Sequence, residues 1–200
     1  MIRLYGISAS RALRPLWTLE EIGVPYELVK THFVDDSKKP EYLAINPNGR
    51  IPAMVDGNLT LFESMAIDLY LARKYGGALY PKSQDDEARA VQWSFWGMTE
   101  LEPHLIQLML HKAMLPEAQR NPAAAKTAEE ALARPLKVLD AALIGRGHLL
   151  GVAFTIADLN VASVLGLSQL SGFDLSPWPN VKRWLDACLA RPAFARARSK

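Results

Sequence analysis

Cysteine is almost missing: the 200-residue chain has one, Cys188. A lone thiol excludes an intramolecular disulfide framework and points to a reducing cytoplasm. Set among Leu185, Leu189 and Trp184 on a late helix, it reads as a buried structural residue. Histidine is scarce as well, and His32 and His111 share no metal-ligand spacing with other residues, so no metal is expected. Charge of one sign is lacking: 23 Lys and Arg against 21 Asp and Glu leave a net +2, too little for a nucleic-acid binder. No segment reaches about 18 apolar residues free of charge, which argues against a membrane span. The opening "MIRLYGISAS" has too short an apolar run for a secretory signal. Repeats and low-complexity tracts are also absent. The basic tail of Arg191, Arg196, Arg198 and Lys200 reads as a solvated terminus.

What is present is ordinary for a globular chain: 50% hydrophobic and 22% charged residues, in a length enough for one large domain or two small ones with a real core. Residues 1–78 alternate strands and helices. "IRLYGI" (2–7), "YELVKTHF" (26–33), "IPAMV" (51–55) and "LTLF" (59–62) have strand composition. Between the first two, Leu13, Leu16, Leu19 and Ile22 recur every three residues, a helix stopped by Gly23. Glu63 to Tyr75 is helical and Gly76-Gly77 ends it. The order predicts a small mixed sheet with helices packed on it. From Asp85 onward only helices are expected: a long one over 85–112, then 122–143, 155–170 and 180–191, with Pro192 marking an end. The helix at 155–170 is apolar on nearly every side, as a helix in the middle of a bundle must be. Thr155 and Asp158 fit a capping box at its start, a folding element rather than a catalytic one.

"NPNGRIPAMVDG" (46–57) is the anomalous stretch. Pro52 stands near the front of a strand, where its missing N–H should weaken a ladder. Either the fold needs a fixed bend there, such as a cis peptide, or a ligand uses the adjoining backbone groups. An edge-strand proline with a trans bond is the plain alternative.

Three segments carry a family resemblance: "LYGISASRALRPLWTLEEIGVPYE" (4–27), "NPNGRIPAMVDGNLTLFESMAIDLYLARKYG" (46–76) and "GHLLGVAFTIADLNVA" (147–162). In this order and spacing the chain resembles the cytosolic glutathione transferases, in particular bacterial-like members with a serine in the active site. The resemblance implies an α/β thioredoxin-like N-terminal domain (1–78) that binds glutathione. It also implies an all-α helical bundle domain (85–200) that shapes the site of an electrophilic small molecule. A homodimer is implied, with glutathione as co-substrate.

The chemistry such a protein needs is a thiolate. A free thiol titrates near about 8.5, and lowering that by two units takes roughly 2.7 kcal/mol of preference for the anion. A hydroxyl donor with helix N-terminal N–H groups supplies that order of magnitude. Ser10 follows the first strand, begins the first helix and stands four residues before Arg14, the place of the family's catalytic serine. A plain N-cap serine is the alternative, and Ser8 is the competing hydroxyl. Pro15 implies that this helix starts irregularly or a turn late. The resemblance implies a cis Pro52 and strand-like pairing of Ile51 with the cysteinyl part of glutathione. It assigns Ser64 and the helix N-terminus to the γ-glutamyl carboxylate, Glu63 to the ammonium, and Arg50 to the glycyl carboxylate. Ser8, Trp96, Leu101 and His104 are the electrophile-site candidates; core or interface roles are the alternatives for the last three. Two further functions stay open: a non-catalytic relative that binds ligands or partners, and, ranked lower, a glutathione-dependent isomerase.

Overall fold

In the computed structural model, which describes all residues Met1–Lys200, the apolar start of the chain forms strand β1 (Ile2–Gly6) at the centre of a sheet. Strand β2 (Tyr26–Lys30) lies parallel to it, with Leu4 opposite Leu28. On the other side β3 (Ala53–Asp56) runs antiparallel, with Leu4 opposite Met54, and β4 (Leu59–Phe62) forms the edge. The sheet order is β2-β1-β3-β4. Parallel pairing of β1 and β2 requires a crossover, which helix α1 (Leu13–Ile22) supplies, ending on Gly23 at φ 76°. Helix α2 (Pro40–Leu43) precedes β3, and α3 (Ser64–Tyr75) follows β4 and packs on α1. Leu4, Leu16, Leu19, Met54, Ile67 and Leu71 are completely buried between these layers. Truncating any one of the leucines to alanine costs about 2–5 kcal/mol. This is the thioredoxin-like α/β arrangement that the resemblance implied. β2 stops short of Phe33 because the Asp36 carboxylate accepts the His32 N–H at 2.9 Å and turns the chain.

Residues Lys82–Ala190 form a second, all-helical unit. Its long first helix is interrupted: α4 (Gln84–Trp96) passes through a π-helical turn at Gly97–Leu101 into α5 (Glu102–Met109), with a second π turn at Leu110–Met114. Pro103 explains the first break. It has no N–H to return to residue 99, and the widened turn shifts the register just ahead of it. Helix α6 (Pro122–Ala142) starts on Asn121, whose Oδ1 accepts the N–H groups of Ala123 and Ala124 at 3.0 and 3.1 Å. Helix α7 (Ile156–Leu165) is buried everywhere except Ser163 and packs on α4, α5 and α9 (Pro179–Leu189); α8 (Ser168–Ser171) is one turn. Asp158 Oδ2 accepts the Thr155 N–H at 2.9 Å, the return half of the expected capping box. Its Oδ1 accepts the N–H of Leu149 and Nε1–H of Trp184 at 2.8 and 2.9 Å. The cap therefore also ties α9 and the loop before α7 to the helix start. Cys188 is 1% exposed on α9, in keeping with a structural thiol.

The chain end departs from expectation. The segment Arg191–Lys200 belongs with Met1–Pro81, not with the helical unit. Pro192 does not merely close a helix; it opens α10 (Pro192–Arg198), which lies on α1. Nor does the tail stand free: Arg196, Arg198 and Lys200 are exposed, as a solvated terminus would be, but three of its four cations are paired. Arg191 makes a two-pronged ion pair with Glu21 at 2.6 and 2.8 Å, and Arg196 and Lys200 reach Glu20 at 2.8 and 3.3 Å. Half-exposed ion pairs contribute modestly. The larger contribution comes from Phe194, whose ring centre lies 4.7 Å from that of the fully buried Trp17. No helix of the protein is long and apolar enough to cross a membrane.

Candidate functional site

Three segments of the first unit carry its chemistry-bearing groups: the turn after β1, the loop before β3, and the start of α3. Gly6 is where the first two meet. It ends β1 at φ 151°, and a Cβ there would lie 2.4 Å from the Ala12 Cβ and 3.8 Å from the Ile51 side chain. Only glycine lets the turn fold back this closely.

Within that turn Ser10 is half-buried. Its hydroxyl donates to the Ile7 carbonyl at 2.7 Å and accepts the Ala12 N–H at 3.1 Å. It is not the helix cap: α1 begins at Leu13, with Ala12 at the cap position. The late start resolves the Pro15 problem, because Pro15 falls in the first turn, where backbone N–H groups have no helical acceptor in any case. Ser8 sits in the same turn, also half-buried.

The Ile51–Pro52 peptide is cis. The β1–β3 ladder runs only from Ile2↔Asp56 to Tyr5↔Ala53, so Ile51 lies ahead of it, and its side chain joins Tyr5, Tyr42 and Ala53 in a small apolar cluster. Sequence reasoning missed what holds this loop. The Arg50 carbonyl accepts the Tyr42 hydroxyl at 2.6 Å and the Asn46 side-chain amide at 2.7 Å. Asn46 Oδ1 in turn accepts the Asn48 N–H at 3.1 Å. Lys38 Nζ donates to the Gly49 carbonyl. The Arg50 side chain itself is exposed, and Lys38 is a second cation at the same loop. The Asn-Pro-x-Gly spacing was the available signal for Asn46; nothing local marked Tyr42 or Lys38.

At the start of α3 the backbone is strained. Glu63 has φ 71° and ψ 113°, the one non-glycine residue with positive φ. Such a conformation costs about 1–3 kcal/mol and persists where surrounding structure imposes it. Its side chain is exposed, while Ser64 is 3% exposed. Ser64 Oγ accepts a hydrogen bond from Arg14 Nη1 at 3.0 Å. A hydroxyl has one proton; with a lone pair filled by the guanidinium, that proton is left to donate. The arrangement prepares Ser64 as a donor beside free helix N–H groups, a setting suited to a carboxylate. Arg14 served in the sequence only as a position marker; its burial at 3% exposed is a tertiary fact.

The remaining candidates lie in the second unit. Trp96 and His104 are half-buried, on α4 and α5. Leu101, in the π turn, is completely buried, so its side chain offers no open surface to a substrate. The protein has no cluster of three or more metal-ligating side chains.

Comparisons with known proteins identify the family. Residues 1–73 match the family model "Glutathione S-transferase, N-terminal domain" and residues 101–192 match "Glutathione S-transferase, C-terminal domain". Among similar proteins, Glutathione S-transferase 3 of Zea mays is 35% identical, over 98% of this chain and 92% of that protein. Glutathione S-transferase F9 of Arabidopsis thaliana is 32% identical, over 100% and 97%. Among solved structures, the theta class glutathione S-transferase of Xanthomonas axonopodis pv. citri, with glutathione bound, superposes with a TM-score of 0.92 at 30% identity, covering 100% of this chain and 97% of that one. With family models matched over both parts of the chain and relatives above 30% identical along its whole length, the chain belongs to the glutathione S-transferase family.

Proposed function

We propose that this protein binds glutathione in its first unit and conjugates it, through its sulfur, to an electrophilic small molecule. The observation that carries the reading is the Ser64 hydroxyl: it stands at the first turn of α3 with its acceptor side taken by Arg14, in the same unit as the Ser10 turn and the cis Ile51–Pro52 loop. The γ-glutamyl carboxylate docks on Ser64 and the α3 N–H groups, with Glu63 balancing the ammonium. The backbone of Ile51, ahead of the sheet ladder, pairs with the cysteinyl residue. Arg50 and Lys38 serve the glycyl carboxylate. Ser10 donates to the sulfur. For this its hydroxyl proton must swing from the Ile7 carbonyl, exchanging a neutral hydrogen bond for a charge-assisted one, roughly twice as strong. The bound thiol then loses its proton to solvent near neutral pH, and the thiolate attacks the electrophilic carbon; with an aryl halide the C–S bond forms and the halide leaves as the anion. Trp96 and His104 are the side chains assigned to the electrophile.

The protein is read as a cytoplasmic homodimer; Leu59 and Phe62 on β4 and Val91 and Phe95 on α4 are exposed apolar side chains available for association. Calorimetric titration with glutathione, paired with turnover of a generic aryl halide, tests the function. Binding and turnover support the transferase. A second reading, a glutathione binder without turnover, draws on the Ser10 proton being engaged by Ile7; binding without product over a panel of electrophiles would select it.

A further inference from the structure

The face of α1 that meets α3 carries Arg14 and Thr18, four residues apart, and the facing side of α3 carries Ser64 and Asp68, also four apart. Residues at this spacing stack one turn above another on a helix. The two pairs make a ladder with two rungs: Arg14 Nη1 to Ser64 Oγ at 3.0 Å and Thr18 Oγ1 to Asp68 Oδ1 at 3.0 Å. All four are buried, Asp68 and Thr18 completely. One atom is left over: Asp68 Oδ2 has no hydrogen-bond partner and no contact with solvent. A carboxylate with an unsatisfied oxygen in a core is costly, and a hydrophobic residue or an amide would pack there at lower cost. Nothing in the thiol chemistry uses it.

We propose that Asp68 is a positioning residue whose charge sets the strength of the γ-glutamyl carboxylate site through Arg14 and Ser64. The inference rests on the reading of Ser64 as the carboxylate ligand. Protonated, Asp68 leaves the Arg14 charge to act on Ser64 and on the ligand anion beyond it. Ionised, it places a negative charge one helical turn behind that anion and draws the guanidinium toward itself, so glutathione binds more weakly. Burial pushes the Asp68 carboxyl up, against the Thr18 hydrogen bond and the Arg14 charge, to about 8, which puts the change within a working pH range. The charged neighbours are few. On α1 only Arg14 faces Asp68; of the other elements packed on α3, β3 carries Asp56, whose carboxylate is engaged by Lys74, Tyr70 and Tyr75, and β4 and the turn at Gly77–Leu79 carry no charge.

The test is the affinity of the full-length protein for S-methylglutathione from pH 6 to 9.5, in the wild type and in Asp68→Asn. The blocked thiol does not titrate, and the ligand's amine titrates equally in both experiments, so the difference between the curves isolates Asp68. The wild type is expected to lose on the order of tenfold in affinity across the Asp68 titration, the effect of a unit charge at this range in a partly shielded site. Asp68→Asn is expected to show only the loss that the ligand's amine imposes on both proteins. A second variant, Thr18→Val, keeps the carboxyl but removes the bond that favours its charged form, so the midpoint of the wild-type transition should move to higher pH. Parallel curves for wild type and Asp68→Asn, or an unmoved midpoint in a folded Thr18→Val, overturn the proposal. Should Asp68→Asn fail to fold, the Thr18→Val midpoint decides. If the wild type binds no S-methylglutathione at any pH, the site reading itself fails, which is a different outcome from binding with no Asp68 dependence.

Discussion

Ser10 looks modest in the sequence, one serine among several near the first helix, and its role depends on where one proton points. Replacing it with alanine removes a charge-assisted donor worth about 1.5–3 kcal/mol. The expected outcome for Ser10→Ala is a fall of roughly ten- to a hundredfold in kcat/KM for aryl halide conjugation. The apparent pKa in the pH–rate profile should rise by about one to two, with glutathione affinity nearly unchanged. An unmoved profile would assign the sulfur to another donor, Ser8 being the first to try. Two carboxyls make opposite predictions for stability. At Asp56 burial raises the carboxyl, but Lys74, Tyr75 and Tyr70 outweigh it and hold it near about 2. Its folded value is depressed, so its contribution is present above the ordinary carboxylate range and lost as pH falls from about 4 to about 2. Asp56→Asn should therefore lower Tm at pH 7, and the gap should close in that acid window. Asp68 is the reverse case. The native state holds a proton that the unfolded chain releases, so stability falls as pH rises from about 4 to about 8. Asp68→Asn should flatten the Tm profile across that interval, a result that does not depend on glutathione.

Each strand and helix shows which local signals survive packing. The sheet strands, α1, α3 and α7 follow period and composition closely because each buries one dominant face or, for α7, all of them. The failures sit where a single residue outweighed the pattern. Pro103 broke an otherwise continuous apolar helix into α4, a π turn and α5, since one missing N–H cannot be averaged over a window of good helix formers. Pro192 was ambiguous between stopping a helix and opening one, and only the docking of α10 on α1 decided it. Two substitutions probe these elements. Gly6→Ala forces a Cβ to within 2.4 Å of the Ala12 Cβ and must displace the turn that carries Ser10. Activity should drop well before stability is lost, as comparison of turnover with thermal unfolding will show. Phe194→Ala removes the ring packed on Trp17 and should cost about 3–5 kcal/mol in urea unfolding. Arg191→Ala, at a half-exposed ion pair, should cost far less.

At the scale of the whole molecule, the chain leaves its first unit at Pro81 and returns to it at Arg191. The helical unit is thus an insertion, and the first unit is not complete without residues 191–200. A chain ending at residue 190 should unfold its first unit at lower denaturant than the full protein, with the second unit's transition little changed; amide exchange resolved by segment would tell the two apart. The sequence by itself was enough for the fold class, the order of the strands and main helices, and the cis-proline loop, and it singled out Ser10, Ile51 and Ser64 as candidates. These are local: they rest on periodicity, on a proline where a ladder should start, and on motifs whose members lie close along the chain. Tertiary structure alone decided that the basic tail clasps α1, that Tyr42 and Asn46 hold the Arg50 carbonyl, and that Arg14 and Asp68 stand behind Ser64. The tail and Arg14–Ser64 contacts join residues far apart in sequence, and even the short-range bonds to the Arg50 carbonyl depend on how the loop folds. A charge on a helix reads as solvated until the packing of a second helix takes its water away.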